Sequence, residues 1–531
     1  MASQSPPGRL PVNQSPVNQG HLPTVWPTVV HMLADAVRRC PERVAVVCDA
    51  DSLTYREYGA CVAGFALELQ AMGVGEGDRV ALLMNNSVDI AIATFAVQAA
   101  GAQVVPLNPA YTASELGPIL RDAACRAIVC DVDVEATLAV ATATTKDTAG
   151  VNVIRVGAGA RRLTEWRASA ELVARLPLPS AGSLSTLQYT GGTTGRSKGV
   201  NLLHAAVAIN VSQREALLPT LAEQEIVLTV TPLFHVYAVS MGLYLAAWSR
   251  NTLVILPRFR PDSLLEAIER YRVTLFCASP TILIGLMRHE RFELTDFGTL
   301  RICFSGSAAL AESTMREWES RTACPVCEGY GQTEAGPVLT YNPSNGLRKI
   351  ASVGMAVPDT QVEIVDLETG ANKLAPGEAG EIRAQGPQIM RDYRNLPKET
   401  AEALRDGWLY TGDIGELDAD GYLFIRDRKK EMVIVSGYNV FPREVEEVLH
   451  AHPQVADAGV VGVPDDYRGE RLVAWVVPAA EALKPDLLFE YLAQHLVGYK
   501  IPHEVHIVQE LPRTPIGKLD RNGLRELAAS R

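Results

Sequence analysis

Four short runs in this chain combine residue types that can do phosphate chemistry. The first, Leu187-Gln-Tyr-Thr-Gly-Gly-Thr-Thr-Gly-Arg-Ser-Lys198-Gly-Val, places three glycines, three threonines and a lysine within nine positions. Backbone amides and hydroxyls in such a loop can wrap a polyphosphate while the lysine neutralises it. It is not a Walker loop, because Ser197 rather than Gly precedes Lys198 and the glycine spacing differs. Taken without a ligand, the same composition makes a flexible turn between strand and helix. The second run, Glu328-Gly-Tyr-Gly-Gln-Thr-Glu334-Ala-Gly, sets an aromatic, a hydroxyl and a carboxylate among small residues. Tyr330 can stack on a base, Thr333 can bond a phosphate and Glu334 can hold a hard cation. The third, Trp408-Leu-Tyr-Thr-Gly-Asp413, ends in a carboxylate suited to two ribose hydroxyls, with Arg428 fifteen residues on. Alone, a Gly-Asp pair is an ordinary solvated turn. The fourth, Leu511-Pro-Arg-Thr-Pro-Ile-Gly-Lys518-Leu-Asp-Arg521, carries one lysine on a glycine turn flanked by two prolines, a stiff setting for a placed ammonium.

Elements of two kinds must position these runs. From Trp26 to Leu256, helical stretches (31–39, 54–73, 88–100, 114–122, 203–214) alternate with short β-rich runs such as Val44–Cys48, Val80–Met84, Gln103–Leu107 and Ile226–Thr229. That rhythm continues through Val273–Ala278 and Leu300–Ser305, and it predicts parallel sheets covered by helices. After Gly354 it changes to strands with Gly, Pro and Asp turns, which predicts a smaller β unit. The charged cluster Arg426-Asp427-Arg428-Lys429-Lys430-Glu431 reads as an exposed linker, and a compact α+β module of roughly 100 residues follows it. A chain of 531 residues exceeds a single core, so two or more domains are expected. We divide it into a disordered tail at 1–27, a large domain at 28–425, a hinge at 426–430 and a C-terminal domain at 431–531.

Composition narrows the function classes. A net charge of −12 argues against a nucleic-acid partner and requires any polyphosphate to be held by a few placed groups. The apolar stretches 88–107 and 236–256 contain polar breaks (Asp89, Gln98 and Gln103; Ser249-Arg250-Asn251), so neither reads as a membrane span. Nine scattered cysteines without a secretory signal predict reduced thiols in a cytoplasmic protein. Cys324-Pro-Val-Cys327 lacks a second ligand pair and is read as structural rather than as a zinc site.

The four runs together, in this order, resemble the adenylate-forming superfamily of acyl-CoA synthetases, coumarate:CoA ligases, luciferases and peptide-synthetase adenylation domains. The resemblance extends over about residues 28–526. It implies an α/β protein with a large N-terminal domain of two αβ-layered sheets plus a β-barrel, and a small mobile α+β C-terminal domain. It implies ATP, magnesium and coenzyme A as cofactors or co-substrates and a small-molecule carboxylic acid as substrate; a homodimer is left open. Carried over by position, Thr190, Gly191, Gly192, Thr193, Thr194, Gly195 and Lys198 match the phosphate loop. Tyr330 matches the adenine-stacking position, with Gly331 and Gln332 counted among the cofactor-binding residues, Thr333 the α-phosphate contact, and Thr190 with Glu334 the magnesium ligands. Ser307 and Ala308 match a wall shared by adenine and acyl chain; Asp413 and Arg428 match the ribose ligands, and Ile425 is counted among the cofactor-binding residues. Gly437, in Val435-Ser-Gly-Tyr-Asn-Val-Phe-Pro442, matches a pantetheine-lining glycine, and Lys518 matches the catalytic lysine, with Lys198 and Thr333 assisting. Acyl-pocket positions are His235, Tyr237, Ser240, Ala278, Thr281, Ser305, Gly306, Gly329, Val338 and Leu339.

These pocket residues are mostly small or apolar and suit an uncharged acyl tail, a medium- or long-chain fatty acid first and an aryl or alicyclic acid as the alternative. The stretch Pro232–Ser240 lacks the carboxylate that would hold an amino-acid substrate's ammonium, which disfavours a domain that loads a carrier protein. Arg196-Ser197 and Gln332 depart from common family patterns without removing a required group.

Overall fold

Two largely parallel sheets lie on either side of a layer of buried helices. In the computed structural model, which describes residues 22–143, 151–157, 159–190, 197–465, 467–479, 483–514 and 518–530, the first sheet has seven strands. Their order is Asp392–Tyr393, Lys198–Leu203, Leu184–Thr190, Gln103–Leu107, Arg79–Leu83, Ala127–Asp131 and Asn152–Val156. The second has nine, with Val338–Tyr341, Val326–Gly331, Ile302–Ser305, Leu275–Ala278 and Ile226–Thr229 in its central and site-proximal part. Helices Val29–Arg39, Tyr55–Ala71, Val88–Ala99 and His204–Leu217 join the inner faces of both sheets in one continuous apolar core. Pro261–Tyr271 and Glu312–Thr322 cover the outer face of the second sheet, and Ala113–Ala123 covers that of the first. Strands covered on both faces need no polar alternation, which is why they read as unbroken apolar runs.

Local chemistry explains the helix starts. Thr54 and Glu57 form a reciprocal capping box at the head of Tyr55–Ala71, the Thr54 amide donating to Glu57 Oε2 at 2.8 Å and the Glu57 amide to Thr54 Oγ1 at 3.2 Å. In Val88–Ala99 every residue is buried, including Asp89. That carboxylate is satisfied by Arg162 Nε at 2.6 Å and the Leu163 amide at 2.8 Å, as a buried charge requires. Among the described residues no helix is long and apolar enough to cross a membrane.

The topology brings the motif runs together. Strands Leu184–Thr190 and Lys198–Leu203 form a hairpin whose register sets Thr190 directly opposite Lys198. Edge strand Asp392–Tyr393 then adds beside it, pairing Tyr393 with Val200. In the second sheet Ser305 pairs with Glu328, so the two small-residue runs leave neighbouring parallel strands at the same end. That end of an open α/β sheet is the usual place for a ligand crevice.

Five antiparallel strands, among them Gly380–Gln385, Trp408–Leu417 and Leu423–Arg428, form the smaller β unit around Val353, Ile364, Ile382 and Leu423. The C-terminal module is a five-stranded sheet with Pro442–His450 and Pro485–His495 on one face and Arg521–Ala529 on the other.

Two expectations are corrected. Residues 22–27 are placed on the large domain rather than in a tail, since the Thr24 carbonyl accepts Ser212 Oγ at 2.7 Å and Trp248 Nε1 at 3.1 Å; residues 1–21 lie outside the described residues. The charged cluster is not a uniformly exposed linker. Arg426–Arg428 end a strand paired with Asp413–Leu417, and Asp427 is only 6% exposed, accepting the amides of Arg428 (2.7 Å) and Arg443 (3.0 Å). Alternation along the strand turns Asp427 inward and its neighbours outward, a pattern that a charge run conceals.

Candidate active site

A cleft of about 1170 Å³ opens where both large-domain sheets, the β unit and the C-terminal module meet. Thr190, Lys198 and Glu334 line one end of it. Glu334 sits in the turn Thr333–Ala335, is buried, and accepts the Tyr393 hydroxyl on Oε1 at 2.7 Å. Burial raises its pKa, while the Tyr393 bond and the charge of Lys198 pull it down. The Lys198 ammonium lies over the Tyr393 ring, 4.8 Å from its centroid. Among the described residues it makes no ion pair. Thr190 and Glu334 offer the hard oxygen donors that magnesium takes, and a buried carboxylate facing a cleft fits such an ion. Gly191, Gly192, Thr193, Thr194 and Gly195 lie outside the described residues.

The next part of the cleft holds Gly331, Gln332, Thr333, Tyr330, Ser307, Ala308, Asp413, Ile425 and Arg428. The Tyr330 hydroxyl donates to Asp413 Oδ2 at 2.6 Å, locking the ring's orientation, and Arg428 Nε stands 3.5 Å from Asp413 Oδ1. Burial raises the Asp413 pKa and Arg428 opposes it. Ser307 adopts a left-handed backbone (φ 69°) with its Oγ buried and, among the described residues, without a partner, a strained and unsatisfied group that a site residue can carry.

Lys518 enters this cleft from the C-terminal module. Its turn is closed by Thr514, whose amide donates to the Lys518 carbonyl at 2.8 Å and whose Oγ1 accepts the Lys518 amide at 3.1 Å; Pro515 and Gly517 lie outside the described residues. Burial, with the neighbouring Arg428 charge, lowers the Lys518 pKa to about 8, against the pull of Asp413. Opposite lies His235, whose pKa burial and the Lys518 charge depress to about 3, so that it is a neutral wall residue.

Of the residues expected at an acyl pocket, Tyr237, Gly306, Gly329 and Val338 also line the cleft. A Cβ on Gly306 would stand 2.7 Å from the Tyr237 ring, and one on Gly329 would stand 2.5 Å from the Tyr341 ring, so these glycines let two tyrosines close the wall. The other pocket candidates are not in the cleft. Ala278 and Leu339 are fully buried; the Ala278 carbonyl accepts the Tyr237 hydroxyl at 3.2 Å. Ser305 is also fully buried, its Oγ without a partner among the described residues, and Thr281 Oγ1 bonds Ser279 Oγ at 2.9 Å. Ser240 lines a smaller, mostly apolar cavity that shares Pro106, Gln188 and Val236 with the cleft. Gly437 lies on the C-terminal module, with φ 86° and no atom within 4 Å of where a Cβ would be.

Residues 33–394 match the AMP-binding enzyme family and residues 444–518 match the AMP-binding enzyme C-terminal domain. The chain belongs to the AMP-binding enzyme family. Its relatives include a long-chain-fatty-acid–CoA ligase of Bacillus subtilis, 35% identical over 537 residues and 95% of each chain. A feruloyl-CoA synthase of an Amycolatopsis species is 35% identical over 92% of this chain and 96% of its own. Among solved structures, ATP-bound MatB from Rhodopseudomonas palustris superposes with a TM-score of 0.87 at 33% identity, covering 94% of this chain and 98% of that one.

Sequence reasoning missed several groups that this member of the family places at the cleft. Tyr393, in Arg391-Asp-Tyr-Arg-Asn, stands in no phosphate-like run and reaches the site only through edge-strand pairing. Glu328 was passed over as the head of the Gly-Tyr-Gly run. It is 2% exposed, and burial raises its pKa to about 7 against the charge of Arg443 from the C-terminal module. Lys429 donates to the buried carboxylate of Glu381 at 2.8 Å. The Cys324 and Cys327 thiols are fully buried, and burial pushes the Cys327 pKa up to about 12, as suits packed core residues.

The Lys518 environment makes a testable statement. Below pH 8 the side chain is an ammonium and above it a free amine, so competitive labelling with trace acetic anhydride should show reactivity rising through about pH 8 rather than near 10.5. Arg428→Gln should shift that rise to higher pH by removing a like charge; a midpoint near 10.5 in the parent would contradict the buried placement.

Proposed function

We propose that this chain is an AMP-forming acyl-CoA synthetase that joins a carboxylic acid to coenzyme A at the cost of ATP. The observation that carries this reading is the convergence of Lys518 from the C-terminal module with Lys198, Glu334, Tyr330 and Asp413 of the large domain in one cleft. A cation for phosphate, a fixed aromatic and a ribose-type carboxylate describe a nucleotide site. A second lysine placed by a separate domain describes a group used in one step and withdrawn in the next.

In the first step an oxygen of the acid's carboxylate attacks the α-phosphorus, and pyrophosphate leaves. Negative charge gathers on phosphoryl oxygens, so preorganised positive groups supply the catalysis. Lys198 and Thr333 face the phosphates, and Lys518 bridges the carboxylate and the α-phosphate. Tyr330 stacks on adenine, and Asp413 with Arg428 takes the ribose. Thr190 and Glu334 would hold magnesium, whose charge offsets that of the phosphates when bound. In the second step the coenzyme A sulfur attacks the acyl carbon and AMP leaves. We assign that step to a second pose, reached by a turn about the Asp427–Lys429 segment that removes Lys518 and brings Gly437 forward. The contacts of Asp427 with the Arg443 amide (3.0 Å) and of Lys429 with Glu381 (2.8 Å) bracket the segment and hold the first pose.

For the substrate we favour a long-chain fatty acid, on the likeness to long-chain-fatty-acid–CoA ligases and the neutral, largely apolar acyl side. An aryl acid is the second reading, favoured by the tyrosine pair that closes the wall beyond Gly306 and Gly329 and by the likeness to a feruloyl-CoA synthase. All nine cysteines are free, which fits the cytoplasm.

The purified protein, given ATP, magnesium, coenzyme A and a panel of acids, should release AMP and pyrophosphate; ADP and phosphate as products would refute the reading. Lys518→Ala should lower acyl-AMP formation on the order of 10²–10³-fold. The same variant supplied with synthetic acyl-AMP should form thioester at near the parental rate, and equal loss of both steps would remove the two-pose mechanism. Gly437→Leu should do the reverse. Pyrophosphate–ATP exchange should persist while thioester formation falls, with a thermal melt to separate the strain of a left-handed leucine from loss of the second step.

A further inference from the structure

The phosphate end of the cleft holds a lysine and a buried glutamate close enough for the lysine's charge to pull the carboxylate's pKa down, yet among the described residues they do not pair. Where a carboxylate is buried, a nearby ammonium attracts it more strongly than in bulk water. Collapse into a salt bridge would remove the phosphate cation and the metal carboxylate together. Tyr393, which is 8% exposed, contacts both of them. Its hydroxyl donates to Glu334 Oε1 at 2.7 Å, and its ring face receives Lys198 at 4.8 Å from the centroid.

The backbone that carries the ring is held at several points. Tyr393 pairs with Val200, two residues beyond Lys198, and the Arg394 amide donates to the Gly199 carbonyl at 2.7 Å. The Tyr393 amide donates to Thr400 Oγ1 at 3.0 Å, and the Met390 amide donates to the Glu334 carbonyl at 2.8 Å. One short segment therefore fixes the backbone on both sides of the potential ion pair. A ring face attracts an ammonium without cancelling its charge. A neutral phenol hydroxyl satisfies one carboxylate oxygen without supplying a counter-charge.

We infer that Tyr393 is a positioning residue that keeps Lys198 and Glu334 from neutralising each other, so that the ammonium stays available to phosphate and the carboxylate to a divalent cation. The inference rests on the reading of the cleft as an ATP site.

Binding of ATP in EDTA, measured by calorimetry, tests it without turnover. Tyr393→Leu removes both spacer and hydroxyl, so Lys198 should turn to Glu334 and metal-free ATP affinity should fall about tenfold or more. Adding Glu334→Gln to that variant should restore affinity toward the parental value, because the competing carboxylate is gone. Tyr393→Phe keeps the ring and should bind metal-free ATP like the parent. It should, however, need about tenfold more magnesium for half-maximal pyrophosphate–ATP exchange, the usual scale for loss of an outer partner of a metal ligand.

Unchanged ATP affinity in folded Tyr393→Leu, no recovery in the double variant, or a parental magnesium requirement in Tyr393→Phe would each overturn the inference. Should the leucine variant fail to melt cooperatively, the phenylalanine variant decides alone. A parent that binds no ATP would instead refute the function proposed above.

Discussion

The site depends on keeping a small number of positive charges unneutralised in a chain whose net charge is −12. The long-range field of such a protein repels a polyphosphate, so affinity must come from the few cations placed inside the cleft, Lys198 and Lys518 among them. Most basic side chains here are engaged in ion pairs, such as Arg162 with Asp89 and Arg348 with Glu319. Lys198 is held on an aromatic face instead, and Lys518 is held beside Arg428 and Asp413 under enough burial to lower its pKa. Among the described residues neither lysine is ion-paired to a carboxylate.

The sheet architecture supplies the rigidity that such an arrangement needs. Charges held near one another without pairing require backbones that cannot relax toward pairing. The hairpin that sets Thr190 against Lys198, its edge strand at Tyr393 and the turn carrying Glu334 are linked by main-chain hydrogen bonds. Beneath them the two sheets share a single core with the fully buried helix Val88–Ala99, so movement of one strand end would disturb close packing across the whole layer. The C-terminal module stands outside this core, with apolar clusters of its own. A body packed separately can leave without opening the large domain, and its ties at the seam are polar ones that can be exchanged for water or for other partners.

The seam itself concentrates titratable groups. Glu328, with a pKa raised to about 7 by burial, faces Arg443 across it, and Asp427 is nearly enclosed by amides from both sides. These carboxylates are placed where the small module docks, and their surroundings change whenever it moves. The charged strand end at Arg426–Arg428 thus serves both as the last strand of the β unit and as the start of the connection.

Much of this was open to reading in the sequence because the governing signals are local. Apolar runs of strand length alternating with helical periodicity follow from covering a parallel sheet on both faces, and the observed strands Val44–Cys48, Gln103–Leu107 and Ile226–Thr229 coincide with those runs. Glycine-rich and Pro-flanked turns likewise declare themselves by composition, so Lys198, Tyr330, Glu334, Asp413 and Lys518 could be singled out before any fold was known, and all of them line the cleft. What the tertiary structure alone decided are the contacts between runs far apart in the chain. Tyr393 meets Glu334 across 59 positions and Tyr330 meets Asp413 across 83. Nothing in the composition around Tyr393 marks it, because its role comes from edge-strand register. The acyl wall shows the same limit: Ala278 and Leu339 occupy the right strands yet point into the core, since a strand turns alternate side chains to opposite faces and only packing settles which face meets the ligand.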